Sequence, residues 1–199
     1  AFAVDEQVNI LRDCSFENII ISAKSSSVTE TIRANSLLSQ KYPYPIHIGI
    51  TEAGAGTAGI IKGAAGISVM LAQGIGDTIR VSLTGPSVEE VKVGYRILGS
   101  LEIRERGYNL ISCPTCGRKR IDVTKLVEEV KALLPDNIKD GTTIAVMGCE
   151  VNGPREAAGA DLGIAGTPDG FVLFRKGRAV CNDTSDNLKK RLIEEIKKL

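Results

Sequence analysis

Apolar residues run almost unbroken through ENIIISAK (17–24), IHIGITE (46–52) and DTIRVSL (77–83), and helical spacing follows each run. Short β-branched runs that alternate with helices predict βα units and a parallel sheet covered on both faces. The helix after the third run is expected to begin at Pro86, with Glu89 and Glu90 in its first turn and Val88, Val91, Tyr95 and Leu98 on one face. Polar residues gather at the C-terminal ends of the three strands: Ser22 and Lys24, Thr51 and Glu52, Arg80 and Ser82. Parallel α/β folds place their chemistry at that end.

The pattern changes at RERGYN (104–109), where a domain boundary is expected. The strand YNLIS follows it, then a helix over 123–134 with Leu126, Val127, Val130 and Leu133 apolar, and then the strand TIAVMG. DLGIAG, FVLFRKG and RAVCN read as short strands, the last two joined by a turn at Lys176-Gly177. A closing helix near 184–199 carries Leu188, Leu192, Ile196 and Leu199 on one face. The expected architecture is α/β in two domains, residues 1–107 and 108–199.

Composition narrows the function classes. The chain has 199 residues, 25 basic and 24 acidic, with a net charge of +1. Such balance gives no general case for nucleic-acid binding or for an anionic membrane surface. No apolar run reaches the length of a bilayer span, and the start lacks the pattern of a signal peptide. Five cysteines without a secretory signal predict reduced thiols in the cytoplasm. The chain opens inside a helical pattern (DEQVNILRDC) and without an initiator methionine, so it is expected to be part of a longer protein.

The cysteines carry the most specific chemistry. Cys113 and Cys116 form a CPTC pair whose two intervening residues let both thiolates reach one site. Thioredoxin-type chemistry would leave Cys149 without a role, and structural zinc usually takes two such pairs. Cys14 and Cys181 read as small buried hydrophobes. Three cysteines with one distant member suit a cubane cluster with a non-cysteine fourth ligand. Thiolate chemistry alone does not choose between Glu150 and Glu156 for that place.

Gly54, Gly56 and Gly59 match GxGxxG, but the dinucleotide fingerprint belongs to the first βα turn of its domain, and this strand comes later. The alternative is a glycine-rich βα loop whose amides approach phosphate oxygens. Lys24, Glu52 and Arg80 end or interrupt apolar strands on one side of the sheet. Two cations and a carboxylate suit an anionic substrate whose reaction needs a proton. His47, early in its strand, is expected to be a hydrogen-bonded core histidine.

Taken together, KSSS, HIGITEAG, GIGDTIRVSLT, RGYNLISCPTCGR and MGCEVNGPREA resemble the C-terminal part of the 4-hydroxy-3-methylbut-2-enyl diphosphate synthase family, the iron–sulfur reductases of the non-mevalonate isoprenoid pathway. The resemblance covers essentially the whole chain. It implies that residues 1–107 are the last three βα units of a (β/α)8 barrel and residues 108–199 a smaller α/β iron–sulfur domain. It implies a [4Fe–4S] cluster on Cys113, Cys116, Cys149 and Glu156. By the same resemblance Lys24, Arg80, Ser82 and Asn152 bind substrate and Glu52 is the catalytic acid/base. The implied reaction is reductive ring opening and dehydroxylation of 2-C-methyl-D-erythritol 2,4-cyclodiphosphate. A flavodoxin or ferredoxin donor and a homodimer are implied with it. The family's barrel begins well before this chain does, and its earlier diphosphate-binding arginines have no counterpart here. The competing expectation is a truncated, non-catalytic iron–sulfur or zinc-binding module.

Overall fold

The computed structural model describes residues 2–135, 137–151 and 157–199. The chain divides into two compact units, Ala1–Glu105 and Arg106–Leu199. The first is built of α1 (Phe2–Asp13), α2 (Val28–Lys41), β1 (His47–Gly49), α3 (Gly56–Ala72), β2 (Thr78–Arg80) and α4 (Ser87–Ser100). β1 and β2 pair in parallel with His47 opposite Thr78 and Gly49 opposite Arg80. The run at 17–24 adds only a single parallel bridge, Ile21 to Ile46.

The three runs bury one face rather than two. Ile21, Ile46, Ile48 and Val81 pack against Leu38, Ile67, Met70 and Ile97 of the helices. Alternation along a strand then turns Ser22 and Lys24, His47 and Gly49, Thr78 and Arg80 to the other face. That face is polar, and Ile20, which shares it, is 64% exposed.

Pro86 lies at the N-cap of α4 rather than in its first turn. The helix buries Gly94 and Ile97, whereas Val88 and Val91, on the apolar stripe expected from the sequence, are exposed. Val91, Tyr95 and Leu98 instead line, with Ile79 and Arg80, a cavity of about 320 Å³. The stripe is real; its cover is missing along that edge of β2.

The second unit holds one five-stranded sheet, β3 (Asn109–Ser112), β4 (Thr143–Met147), β5 (Leu162–Thr167), β6 (Gly170–Arg175) and β7 (Arg178–Asp183), in that order. The first three strands run parallel and the last two antiparallel. α5 (Val123–Leu133) and α6 (Leu188–Ile196) cover one face, setting Val123, Val130, Leu192 and Ile196 against Ile144, Leu162, Ile164 and Leu173. On the other face Ala145, Met147, Ala165 and Phe174 pack with Ala157 and Ala160. Asp122 caps α5 by accepting the Lys125 N–H at 3.1 Å. The hairpin of β6 and β7 turns at Lys176 and Gly177, both at positive φ (45° and 74°), the twist that suits a two-residue turn. Arg175 ties α6 to the sheet, with Nε donating to Glu195 Oε2 at 2.8 Å and Nη2 donating to the Glu195 carbonyl at 2.7 Å.

Gly163 faces Phe174 across the β5–β6 ladder. A Cβ at Gly163 would sit 1.9 Å from Phe174 Cε2, inside a buried core with no room to yield. Gly163→Ala is therefore expected to destabilise the second unit by about 1–3 kcal/mol. A urea transition shifted to lower midpoint at unchanged slope would show it; an unmoved midpoint would refute it.

Candidate iron–sulfur and anion sites

Cys113 follows β3 directly, and Cys149 lies just beyond β4, the neighbouring strand. The Cys113 N–H donates to the Val146 carbonyl at 3.3 Å, continuing the ladder to the thiol. The Gly148 N–H donates to Cys113 Sγ at 3.1 Å. Hydrogen bonds to sulfur of this kind are a recurring feature round the ligands of iron–sulfur clusters. Thr115, between the two cysteines of the pair, takes a left-handed φ of 54°. Cys149 is buried, Cys113 half-buried and Cys116 exposed.

Two glycines missed in the sequence shape this corner. A Cβ on Gly148 would lie 3.4 Å from both Cys113 Sγ and Lys119 Cβ, and one on Gly166 would lie 2.8 Å from the Gly148 carbonyl oxygen. Their only trace in the sequence is a glycine at the end of each apolar strand.

Among the described residues, no three Cys, His, Asp or Glu side chains close round a single metal ion. A four-iron cube takes one ligand per iron, so its thiolates stand farther apart than those round one ion. Three thiols, two of them at the ends of adjacent strands, suit such a group. Glu156 and Asn152 lie outside the described residues. Glu150, the other carboxylate after Cys149, has Oε2 buried with no hydrogen-bond partner among the described residues. Cys181 packs beside the helix-covered core. Cys14 is exposed, contrary to the expectation that it is buried, because it follows the last turn of α1, where no second layer covers it.

In the first unit, the polar sheet face brings Lys24, His47 and Arg80 together. Gly49 makes this possible: a Cβ there would meet the Arg80 carbonyl oxygen at 2.6 Å and Lys24 Cδ at 3.3 Å. Lys24 therefore lies over Gly49 on its way towards β2. Burial, and after it the charge of Arg80, lowers the Lys24 pKa. His47 Nδ1 shares a hydrogen bond with Thr78 Oγ1 at 2.8 Å. Its pKa is lowered by burial, then by Lys24 and Arg80. His47 is thus hydrogen-bonded as expected, but half-buried on the polar face rather than in the core. Neither Lys24 nor Arg80 has an ion-pair partner among the described residues. Ser82 follows Arg80 by two residues, on the same face by alternation.

Glu52 is not drawn into this group. It is exposed, at a left-handed φ of 51°, and its backbone carbonyl accepts from Lys62 Nζ at 3.1 Å. The glycine string forms the turn into α3. Gly54 and Gly56 hold positive φ, and a Cβ on Gly59 would lie 2.6 Å from the Gly54 carbonyl oxygen. These glycines serve a tight strand-to-helix turn.

Two family models match the chain: the GcpE TIM-barrel domain over residues 2–95 and the GcpE protein C-terminal domain over residues 109–198. The chain belongs to the GcpE family. It is 47% identical over 192 residues to 4-hydroxy-3-methylbut-2-en-1-yl diphosphate synthase (flavodoxin) of Ruminiclostridium cellulolyticum, covering 96% of this chain and 54% of that protein. The enzyme of the same name from Geobacter sulfurreducens is 49% identical over 192 residues, with the same coverage. That of Thermodesulfovibrio yellowstonii is 46% identical over 196 residues, covering 98% of this chain and 56% of that protein. The chain thus spans about half the length of the curated relatives it matches. Among the described residues no helix is long and apolar enough to cross a membrane.

Proposed function

We propose that this chain forms the iron–sulfur domain and part of the substrate domain of a reductase that opens 2-C-methyl-D-erythritol 2,4-cyclodiphosphate and removes a hydroxyl, giving 4-hydroxy-3-methylbut-2-enyl diphosphate. The observation that carries this reading is the pair Cys113 and Cys149 at the ends of adjacent strands, with the Gly148 amide aimed at the Cys113 sulfur. The names of the relatives support it.

Cys113, Cys116 and Cys149 would hold a [4Fe–4S] cluster, with Glu156 as its fourth ligand. When bound, the cluster would supply electrons and a Lewis-acidic iron. The reaction takes up two electrons and two protons and releases one water. Lys24 and Arg80, side by side with no carboxylate between them, would hold the diphosphate, and the Ser82 hydroxyl would donate to it. Asn152 would also bind the substrate. Glu52 would pass a proton to the departing hydroxyl, which requires its loop to turn the carboxylate towards the two cations. Residues 1–107 would be the last three βα units of a barrel and residues 108–199 the cluster domain. The protein would work in the cytoplasm as a homodimer, with a flavodoxin as electron donor as in the relatives' names, or with a ferredoxin.

Anaerobically prepared protein is expected to be brown and to contain about four irons per chain. Colourless protein with stoichiometric zinc and no iron would instead support a non-catalytic zinc module.

A further inference from the structure

The loop behind Cys116 carries three consecutive cations, Arg118, Lys119 and Arg120. All three are exposed, and none has an ion pair or side-chain hydrogen bond among the described residues. The carboxylate next along the chain, Asp122, is engaged in capping α5. Three adjacent like charges repel one another, and no carboxylate among the described residues pairs with them.

The segment is nevertheless held in place. The Lys119 N–H donates to the Cys116 carbonyl at 3.1 Å, and the Arg120 N–H donates to the Gly148 carbonyl at 2.7 Å. Gly148 is the residue whose own N–H reaches Cys113 Sγ. One short loop thus ties the cations to both cysteine segments. A single point above Gly148 lies 3.4 Å from Lys119 Cβ and 3.4 Å from Cys113 Sγ.

We propose that Arg118, Lys119 and Arg120 form the docking platform for an acidic, flavin-bearing electron carrier. This rests on the reading that Cys113, Cys116 and Cys149 hold the redox group. Electron transfer falls off steeply with distance, so the carrier must arrive beside the thiolate ligands. Cys116 is the exposed one of the three. Redox encounter complexes are small and transient, and charge steers and orients them. A solvent-exposed row of cations suits a broad anionic protein surface. A small diphosphate is better served by the pair Lys24 and Arg80, of which Lys24 is half-buried. In each encounter the flavin hydroquinone gives up one electron and one proton and leaves as the semiquinone. Two encounters supply the two electrons that one turnover consumes.

The test uses the full-length protein with two reductants, reduced flavodoxin and photoreduced deazaflavin, a small uncharged donor. For the triple variant R118E/K119E/R120E, kcat/KM for flavodoxin is expected to fall about tenfold or more at low salt. Its rate should lose the ionic-strength dependence of the wild type, and calorimetric titration of the oxidised protein with flavodoxin should show matching loss of affinity. R118Q/K119Q/R120Q should fall in between, and turnover with deazaflavin should be unchanged in both variants. Unaltered flavodoxin kinetics and affinity would overturn the proposal. A raised KM for the cyclic diphosphate under deazaflavin would overturn it by assigning these cations to substrate. Iron loss with equal failure of both reductants would overturn it by showing a structural role. Wild-type protein inert with deazaflavin would sink the proposed function itself, and the docking platform with it.

Discussion

Glu156→Ala in the full-length protein is expected to give a cluster that assembles poorly or loses iron, with turnover reduced by about a hundredfold or more, since even the outer-shell partners of metal ligands cost up to that much. Glu150→Ala is expected to keep both cluster and activity. The contrast rests on the proposed ligand role of Glu156 and on the surroundings of Glu150. Glu150 adjoins Cys149 in the turn that follows β4. Its Oε2 is buried without a hydrogen-bond partner among the described residues, so removing this side chain relieves an unsatisfied polar group instead of creating one. Glu156 follows Asn152-Gly153-Pro154 in the sequence and is the proposed fourth ligand. An oxygen ligand is exchanged at iron more readily than a thiolate, so Glu156→Cys should restore a stable, redox-active cluster that is catalytically poor. Iron content, the visible spectrum and turnover read all three variants. Full activity with an unchanged spectrum in Glu156→Ala would show that another group completes the cluster, and Cys181 would be the first to replace next.

Replacing Arg80 or Lys24 by Met is expected to raise KM for the cyclic diphosphate by roughly ten- to a hundredfold each, the worth of one charge-assisted hydrogen bond. Methionine keeps the packing over Gly49 and removes the charge. The same substitutions have a second readout within this chain, whose single histidine feels the charge of both cations. Burial, Lys24 and Arg80 all disfavour the charged imidazole, so His47 titrates below its ordinary 6.5. Removing either cation leaves the burial and lifts one repulsion, and the pKa should move up towards 6.5 without reaching it. The ring-proton NMR shift of His47 against pH measures this directly. An unmoved titration in both variants would show that the cations do not face His47. A raised KM together with an unmoved titration would separate substrate binding from that arrangement.

The approach of the Cys113 and Cys149 segments was legible because cysteines are scarce in this chain. Cys113 and Cys116 cannot be far apart with two residues between them, whatever the fold. Cys149 could be joined to them by exclusion. The strands and helices of the second unit were legible for a similar reason: β4, β5 and β6 bury both faces, so their apolar runs are continuous and hard to mistake. The first unit was read less well. Its strands looked buried on both faces, yet residues such as Ser22, His47, Thr78 and Arg80 line an uncovered side. In runs of three to eight residues, a few isoleucines conceal that alternation. The stripe Val88, Val91, Tyr95 and Leu98 was seen correctly as apolar, but periodicity does not say whether a partner is present to cover it.

The sequence by itself determined the family and the order of strands and helices, because these depend on residue type, spacing along the chain and local preference. The tertiary structure decided which cations meet and which groups remain without a partner. Lys24 reaches Arg80 because Gly49, opposite Arg80 in the β1–β2 register, has no side chain in the way. The cations at 118–120 lie beside the thiols because Gly148 bonds to Cys113 through its amide and to Arg120 through its carbonyl. Both depend on strand register and on the close approach of backbones at glycines, and neither is encoded in any one segment of the chain.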